Sequence, residues 1–135
     1  MDLFEEIVLF YLNKTKNLPT YYQFSILDYD KSEWSCPDFI AFNNPEKIVY
    51  VIEVSVAYNI DSLIDRINDR QNQWFIKLRN QLLENETIDV NWVFHVLVFL
   101  RDDRLQYFNQ KLIEKKDVEA ISIEKAMKEI LPWWK

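Results

Sequence analysis

The sequence predicts a mixed α/β fold in which helices flank one central sheet. Segments whose apolar residues recur at helical spacing alternate with short runs rich in β-branched and aromatic residues. The run NWVFHVLVFL at 91–100 is apolar on both of its alternating faces, which is typical of a central strand covered on two sides. With 135 residues, 49% of them hydrophobic, the chain is long enough for one core, so residues 1–135 are expected to form a single domain.

The first half of the chain begins with a helix predicted from Asp2 to about Lys16, because its apolar residues recur at spacings of three and four. The aromatic and β-branched segment Tyr21–Leu27 is predicted to be a strand, and the polar segment Asp28–Cys36 a loop. Two strands follow, Asp38–Phe42 and Ile48–Ala57, separated by the turn-favouring letters NNPE. These two strands are expected to pair as a hairpin.

The second half begins with a long helix, predicted from Asp61 as its N-cap to about Glu84. The inner face of this helix is expected to consist of Leu63, Ile64, Ile67, Trp74, Leu78 and Leu82. After the strand at 91–100, the remaining predicted elements are a helix at about Asp103–Lys115, a short strand at Val118–Ile121, and a helix that Ser122 caps and that ends at Leu131. The core order is therefore α-β-β-β-α-β-α, a mixed sheet flanked by helices.

Composition excludes several classes of function. The chain has no glycine, which argues against phosphate loops, dinucleotide-binding sites and Gly-x-Ser-x-Gly hydrolases. A single histidine, His95, and a single cysteine, Cys36, exclude a zinc site of the usual type, so any metal ligands are oxygens and favour magnesium or manganese. His95 is expected to be a core residue and Cys36 a small buried one.

Charge and hydropathy bear on nucleic-acid contact, membrane insertion and cellular location. The net charge of −6 argues against a broad electrostatic grip on nucleic acid, so any such contact must be local. No apolar run approaches the roughly 20 residues of a membrane span, and the N-terminus is acidic where a secretory signal would be basic. We expect a location inside the cell, whether cytoplasmic, nuclear or, for a viral protein, within the host cell.

Two carboxylates carry the strongest functional signal. Asp38 opens one predicted strand, and Glu53 interrupts an otherwise apolar run in the next. An ionised carboxylate in an apolar setting needs a partner, and a metal ion is one such partner. Two carboxylates with a nearby backbone carbonyl, that of Val54, suit Mg²⁺ or Mn²⁺.

With these residues in place, the sequence resembles the PD-(D/E)xK nuclease superfamily, which includes restriction enzymes and junction resolvases. Pro37-Asp38 matches the PD element, Glu53 the second acid, and Glu5 the frequent acid of the first helix, with Glu6 as the fallback. The resemblance covers the chain from the first helix to about Leu100, roughly three-quarters of its length. It implies a restriction-endonuclease-like fold and metal-dependent hydrolysis of phosphodiester bonds in DNA or RNA.

One element departs from the pattern. The superfamily usually has lysine two residues after the second acid, whereas this chain has Ser55. Viral cap-snatching endonucleases look similar in this region and take their basic residue from the following helix. Here that helix offers Arg66, Arg70 and Lys77 along one edge, with Arg66 or Arg70 favoured because both lie near its start.

The chemistry expected of these residues differs from that of the missing lysine. An arginine is too basic to accept a proton at neutral pH, but it stabilises negative charge that develops on the phosphate oxygens. Ser55 is able to hydrogen-bond a water molecule but not to do the work of the lysine. The alternative without a catalytic role is that the three basic residues form the solvated edge of an amphipathic helix.

A second class of function stays open. The chain is then a nuclease-fold domain that has lost catalysis and serves as an acidic binding or regulatory subunit of a nucleic-acid-processing complex; Ser55 and the charge of −6 favour this alternative. Near the C-terminus, Trp133 and Trp134 either fold back onto the core or anchor a protein partner. The acidic segment at 28–33 lacks the glycine of a calcium loop, and a calcium site there is rejected.

Overall fold

The computed structural model describes residues 1–28 and 33–133. It has a five-stranded mixed sheet flanked by helices, together with a separate two-stranded antiparallel ribbon. The five strands lie in the order β1 (Thr20–Tyr22), β4 (Phe39–Asn43), β5 (Ile48–Ser55), β6 (Val93–Leu100) and β7 (Val118–Ser122). The ribbon consists of β2 (Ile26–Asp28) and β3 (Glu33–Ser35). The predicted mixed α/β class is confirmed.

Five α-helices are present among the described residues: α1 (Leu3–Phe10), α2 (Asp61–Asn68), α3 (Ile76–Glu84), α4 (Leu105–Lys111) and α5 (Ile123–Ile130). One π-helical segment, Tyr11–Thr15, continues α1, and another, Gln71–Phe75, leads into α3. Short 3₁₀ turns precede α4 at Asp102–Arg104 and follow α5 at Leu131–Trp133. The long helix expected from Asp61 to Glu84 is therefore helical over most of its length but interrupted at Asp69.

The pairing of the strands fixes which of their ends meet. β4 pairs antiparallel with both β1 and β5, and the predicted β4–β5 hairpin is confirmed. β6 lies parallel to β5 and to β7, so these three strands end at the same edge of the sheet. Parallel neighbours require crossover connections, which α2, α3 and α4 supply.

Each face of the sheet has its own apolar core. On one face Val51 and Val98 pack with residues of α2, α3 and α4, among them Ile64. On the other face Ile52 and Phe99 pack with residues of α1 and α5. Alternate side chains of β5 and β6 thus enter different cores, as predicted for the strand at 91–100.

The segment predicted as one strand at Tyr21–Leu27 is two strands in different sheets. Gln23 has a φ of 50°, a left-handed conformation that ends β1 and turns the chain away from the sheet. Its N–H donates to the carbonyl of Asp38 at 3.0 Å. The loop predicted at Asp28–Cys36 also contains a strand, β3, so both assignments were wrong in part.

The two predicted helix caps had different outcomes. Ser122 caps α5 as expected, since its Oγ accepts the N–H of Lys125 at 3.1 Å. Asp61 is the first residue of α2 rather than its N-cap, and its N–H donates to Oδ1 of Asn59 at 3.1 Å. The carboxylate of Asp61 instead accepts the hydroxyl of Tyr107, a tertiary contact that no local pattern indicates.

The expectation for Cys36 was wrong and that for His95 held only in part. Cys36 is exposed, because it lies in the short link between β3 and β4 rather than inside the sheet. Its Sγ is 3.6 Å from Oγ of Ser25. His95 is half-buried, with its ring edge-on to that of Tyr50.

Three other features concern the limits of the described chain. The acidic segment rejected as a calcium loop falls largely outside the described residues, and so does Trp134 of the predicted partner contact. Trp133 ends the last 3₁₀ turn. No helix in the described part of the chain has the length and apolar character that a membrane crossing requires.

Candidate metal centre

Asp38 and Glu53 face each other across two neighbouring strands. The register of β4 and β5 pairs Phe39 with Ile52, so the next cross-strand pair is Asp38 with Glu53. Phe39 and Ile52 belong to the core on the α1 and α5 side. Because successive side chains point to opposite faces, both acids lie on the other face, which α2 covers.

Two hydrogen bonds brace the acids against each other. The N–H of Val54 donates to Oδ2 of Asp38 at 2.8 Å, and the N–H of Asp38 donates to Oε2 of Glu53 at 3.3 Å. Each strand therefore holds the carboxylate of the other through a backbone donor. Glu53 lies within β5 and Asp38 directly before β4, so the pairing of these two strands positions both acids.

Glu53 is strongly perturbed by this position. Only 5% of Glu53 is exposed. Burial raises the pKa of Glu53 to about 8, and the charge of Asp38 and a side-chain hydrogen bond with Asp38 act in the same direction. The charge of Arg66 and the backbone N–H of Asp38 oppose this rise without cancelling it. Two neighbouring carboxyl groups, one of them buried, favour a positive charge nearby, and Arg66 is one such charge.

Arg66 reaches these acids from α2. Its Nη1 lies 3.1 Å from Oε1 of Glu53, while 45% of the arginine side chain is exposed. Of the three basic residues expected to supply the missing charge, Arg66 is the one that the structure brings into contact with the acids. Its exposure leaves the guanidinium accessible to a ligand in solution.

The structure places Arg70 elsewhere. Arg70 is buried, and its guanidinium donates to both carboxylate oxygens of Asp117, at 2.6 and 2.8 Å. It also donates to the backbone carbonyls of Ile67 and Glu114. Because α2 ends at Asn68, the helical spacing that aligned Arg70 with Arg66 does not apply across the interruption.

Two further predicted residues also lie away from a catalytic contact. Lys77 is half-buried on α3, eleven residues beyond Arg66 and past the interruption that ends α2. Ser55 lies on the same strand face as Glu53, two residues further on, and its Oγ accepts the N–H of Ala57 at 3.3 Å. The Ser55 hydroxyl is thus engaged with its own loop.

Glu5, the acid predicted on the first helix, lies at the start of α1. Glu5 and Asp2 form a capping box at the start of α1, with bonds of 2.8 and 3.1 Å, so Glu5 has a structural role there. Partial desolvation raises the pKa of Tyr22, and the charges of Glu5, Asp38 and Asp2 raise it further. Glu5 and Asp38 therefore both lie near this phenol. Glu6, the fallback residue, is exposed.

The sequence pattern did not indicate that Tyr22 lies beside Asp38. It ends β1 opposite Phe39, and its neighbourhood to Asp38 follows only from the pairing of β1 with β4. The sequence-based prediction also missed Arg101 and Arg104, which follow β6 directly. Their position after a predicted central strand was an available signal, since the carboxyl ends of such strands often bind ligands.

The donor set of the pair fits a hard divalent cation. Within the described residues, no group of three or more His, Cys, Asp or Glu side chains is arranged to hold a metal ion. Asp38 and Glu53 supply two carboxylates, and Mg²⁺ typically takes one or two from the protein with water or phosphate oxygens for the rest. A cation at this place also offsets the repulsion that raises the pKa of Glu53.

Fold and site together define a mixed α/β protein in which the buried Glu53 and the half-buried Asp38 lie at one edge of the sheet and one arginine contacts Glu53. The chain matches no model of a known protein family and no curated protein.

Proposed function

We propose that this chain is a metal-dependent nuclease with a restriction-endonuclease-like fold that hydrolyses phosphodiester bonds of DNA or RNA. The observation that carries the proposal is the placement of buried Glu53 opposite Asp38. The order of the elements supports it: a helix, an antiparallel hairpin carrying both acids, a covering helix and a parallel central strand. Val54, whose carbonyl is the third proposed ligand, is adjacent to Glu53.

In this proposal Mg²⁺ or Mn²⁺, when bound, supplies the Lewis acidity that activates water and offsets charge on the phosphate. Asp38 and Glu53 would hold the ion, and the N–H groups of Val54 and Asp38 orient the carboxylates. A bound cation would favour the carboxylate form of Glu53 over its protonated form.

Arg66 has a separate part. An arginine is too basic to act as the general base. The half-exposed guanidinium of Arg66 donates to negatively charged phosphate oxygens and stabilises the charge that grows on them during attack. Its contact with Glu53 keeps it at the site before substrate binds.

One observation favours the second candidate, a catalytically impaired domain that acts as an acidic binding or regulatory subunit. Ser55 stands where a lysine is expected, and its hydroxyl accepts a hydrogen bond from the N–H of Ala57. In this case the carboxylate pair binds a cation for stability and no bond is cleaved.

A cleavage assay separates the two. Fluorescently labelled single- and double-stranded DNA and RNA are incubated with the protein in Mn²⁺, in Mg²⁺ and in chelator. The nuclease proposal expects cleavage only with metal, its loss in Asp38→Asn and Glu53→Gln, and its retention in Glu46→Gln, an exposed acid in the hairpin turn. Absence of cleavage together with calorimetric Mn²⁺ binding supports the second candidate, and absence of Mn²⁺ binding to the wild type rules out the metal site.

A further inference from the structure

A group of arginine, lysine and tyrosine side chains lies at the same edge of the sheet as the carboxylate pair. Tyr58 follows β5 in the loop before α2, Arg101 and Arg104 follow β6, and Tyr107 and Lys111 lie on α4. We call these five residues the arginine–tyrosine surface. Because β5 and β6 are parallel, with Ser55 opposite Leu100, this surface and the acids lie at the same edge of the sheet.

The side chains of this surface form a stack. The guanidinium of Arg104 lies between two rings, with its Cζ 4.1 Å from the ring centroid of Tyr58 and 4.3 Å from that of Tyr107. Arg101 and Lys111 each lie 5.7 Å from a ring, Arg101 at Tyr58 and Lys111 at Tyr107. Such cation–π contacts hold rings and charges in a fixed order.

Arg104 has a hydrogen-bond donor without a partner in the described part of the chain. Its Nε is buried and has no hydrogen-bond partner among the described residues. The nearby acids are already engaged: Asp61 accepts the hydroxyl of Tyr107, and Asp103 pairs with Arg101 at 2.7 Å. Among the described residues Arg104 forms no ion pair, and two aromatic faces hold its guanidinium, although Asp61 and Asp65 lie near Tyr107.

Tyr58 presents an aromatic ring to solvent, since 63% of the residue is exposed. An exposed ring that is held from one side by an arginine is a platform on which another planar group stacks. Nucleobases are such groups, and their stacking on aromatic side chains tolerates any base sequence. This suits a chain whose net charge of −6 does not support a broad electrostatic contact.

We infer that the arginine–tyrosine surface binds a single-stranded segment of nucleic acid, with a base stacked on Tyr58 and phosphates near Arg101 and Arg104, and leads it to Asp38 and Glu53. A duplex hides its bases from such a platform, and an acidic peptide has no need of the exposed ring. The inference names the substrate class and rests on the proposed nuclease function only for the destination of the strand.

Binding without cleavage tests it. Fluorescence anisotropy is measured in chelator with labelled dT20, U20 and a 20-base-pair DNA duplex, so that no metal chemistry contributes. We expect the wild type to bind dT20 or U20 in preference to the duplex, and the difference between dT20 and U20 to tell DNA from RNA. Tyr58→Ala is expected to weaken binding about fivefold or more, whereas Tyr58→Trp keeps it.

Arginine variants provide a matched control. Arg104→Lys keeps the charge but loses the planar stack, and we expect it to weaken binding. Arg79 also stacks on a ring, with its Cζ 4.7 Å from the centroid of Phe94, but lies at the amino end of β6. Arg79→Lys is expected to leave binding unchanged. The near-ultraviolet circular dichroism from the five tryptophans confirms that each variant is folded.

The outcomes are distinct. Any one of four results overturns the inference. The folded wild type binds neither single strand, or it binds the duplex more tightly. Alternatively, poly-glutamate displaces the protein as well as a single strand does, or Tyr58→Ala leaves binding unchanged. Single-strand binding that Tyr58→Ala weakens supports it even when the protein cleaves nothing with Mn²⁺, and in that case only the nuclease proposal fails.

Discussion

Arg66 on α2 places its Nη1 3.1 Å from Oε1 of Glu53, whose residue is 5% exposed on β5. Thirteen residues separate the two in the chain, and the contact joins the covering helix to the acidic end of the sheet. It provides a positive charge where the second carboxylate has no neighbouring lysine. The geometry leads to predictions on activity, on pH dependence and on stability.

Replacing Arg66 with alanine is expected to lower the cleavage rate with Mn²⁺ by about a hundredfold, because a preorganised donor to the developing charge is lost. Arg66→Lys should recover part of this, since the charge stays but the planar fork does not. Single-turnover rates measure the effect. The exposed Lys14 lies on the π-helical turn after α1, so Lys14→Ala serves as the control, and equal rates for Arg66→Ala and wild type would contradict the assigned role.

Glu53 gives the protein an unusual pH dependence in the absence of metal. Its folded pKa of about 8 lies above the ordinary 4.5, so between these values the folded state holds a proton that the unfolded state has released. The contribution of Glu53 to stability is therefore fully present at low pH and is lost as pH rises toward 8. Glu53→Gln should gain more than about 1 kcal/mol relative to wild type between pH 5 and 8.5.

Urea unfolding in chelator at both pH values measures this change. Glu46→Gln, in the hairpin turn, is the control and should follow the wild type. Addition of Mn²⁺ at pH 8.5 should stabilise the wild type and not Glu53→Gln. Parallel pH profiles for the wild type and Glu53→Gln would show that Glu53 is not perturbed as described.

Arg70 is predicted to matter for stability and not for chemistry. Its loss in Arg70→Met leaves Asp117 without its bidentate partner, and we expect a destabilisation of about 3 kcal/mol with the cleavage rate of the folded protein retained. The exposed pair of Arg101 and Asp103 is the comparison, and Asp103→Ala should cost less than about 1 kcal/mol. Loss of cleavage in a folded Arg70→Met protein would show that Arg70 contributes to catalysis.

The same pair predicts acid sensitivity. Burial raises the pKa of Asp117, but the hydrogen bonds and charge of Arg70 outweigh burial and bring the pKa below its ordinary value. A lowered folded pKa contributes stability that is present above the unfolded pKa and lost as pH falls through the folded one. The destabilisation by Asp117→Asn should therefore be largest near neutral pH and shrink in urea titrations carried out in acid.

Ser55→Lys tests whether the missing lysine limits activity. Position 55 lies two residues after Glu53 and on the same face of β5, so a lysine there points toward the acids. We expect a rise in the cleavage rate of at least about a hundredfold, the low end of what a positioned acid or base contributes. Ser55→Ala is the matched control and should leave the rate near that of the wild type; a folded Ser55→Lys protein with no gain contradicts this explanation.

Local sequence patterns were enough to predict the elements that depend on apolar periodicity or on a capping residue. The sequence by itself determined the mixed α/β class, the β4–β5 hairpin, the two-sided burial of β6 and the cap at Ser122, because apolar periodicity and capping act within a few residues. It also indicated that Asp38 and Glu53 share one end of a hairpin, since antiparallel neighbours with a short turn meet by geometry.

Only the tertiary structure decided which basic side chain meets those acids. Arg66 and Arg70 look alike along the sequence, yet the interruption after Asn68 leaves one at Glu53 and buries the other against Asp117, 47 residues away. The exposure of Cys36 and the proximity of Tyr22 to Asp38 were decided in the same way, by strand pairing. Contacts between distant segments depend on how whole elements pack, and that information does not reside in any local run of residues.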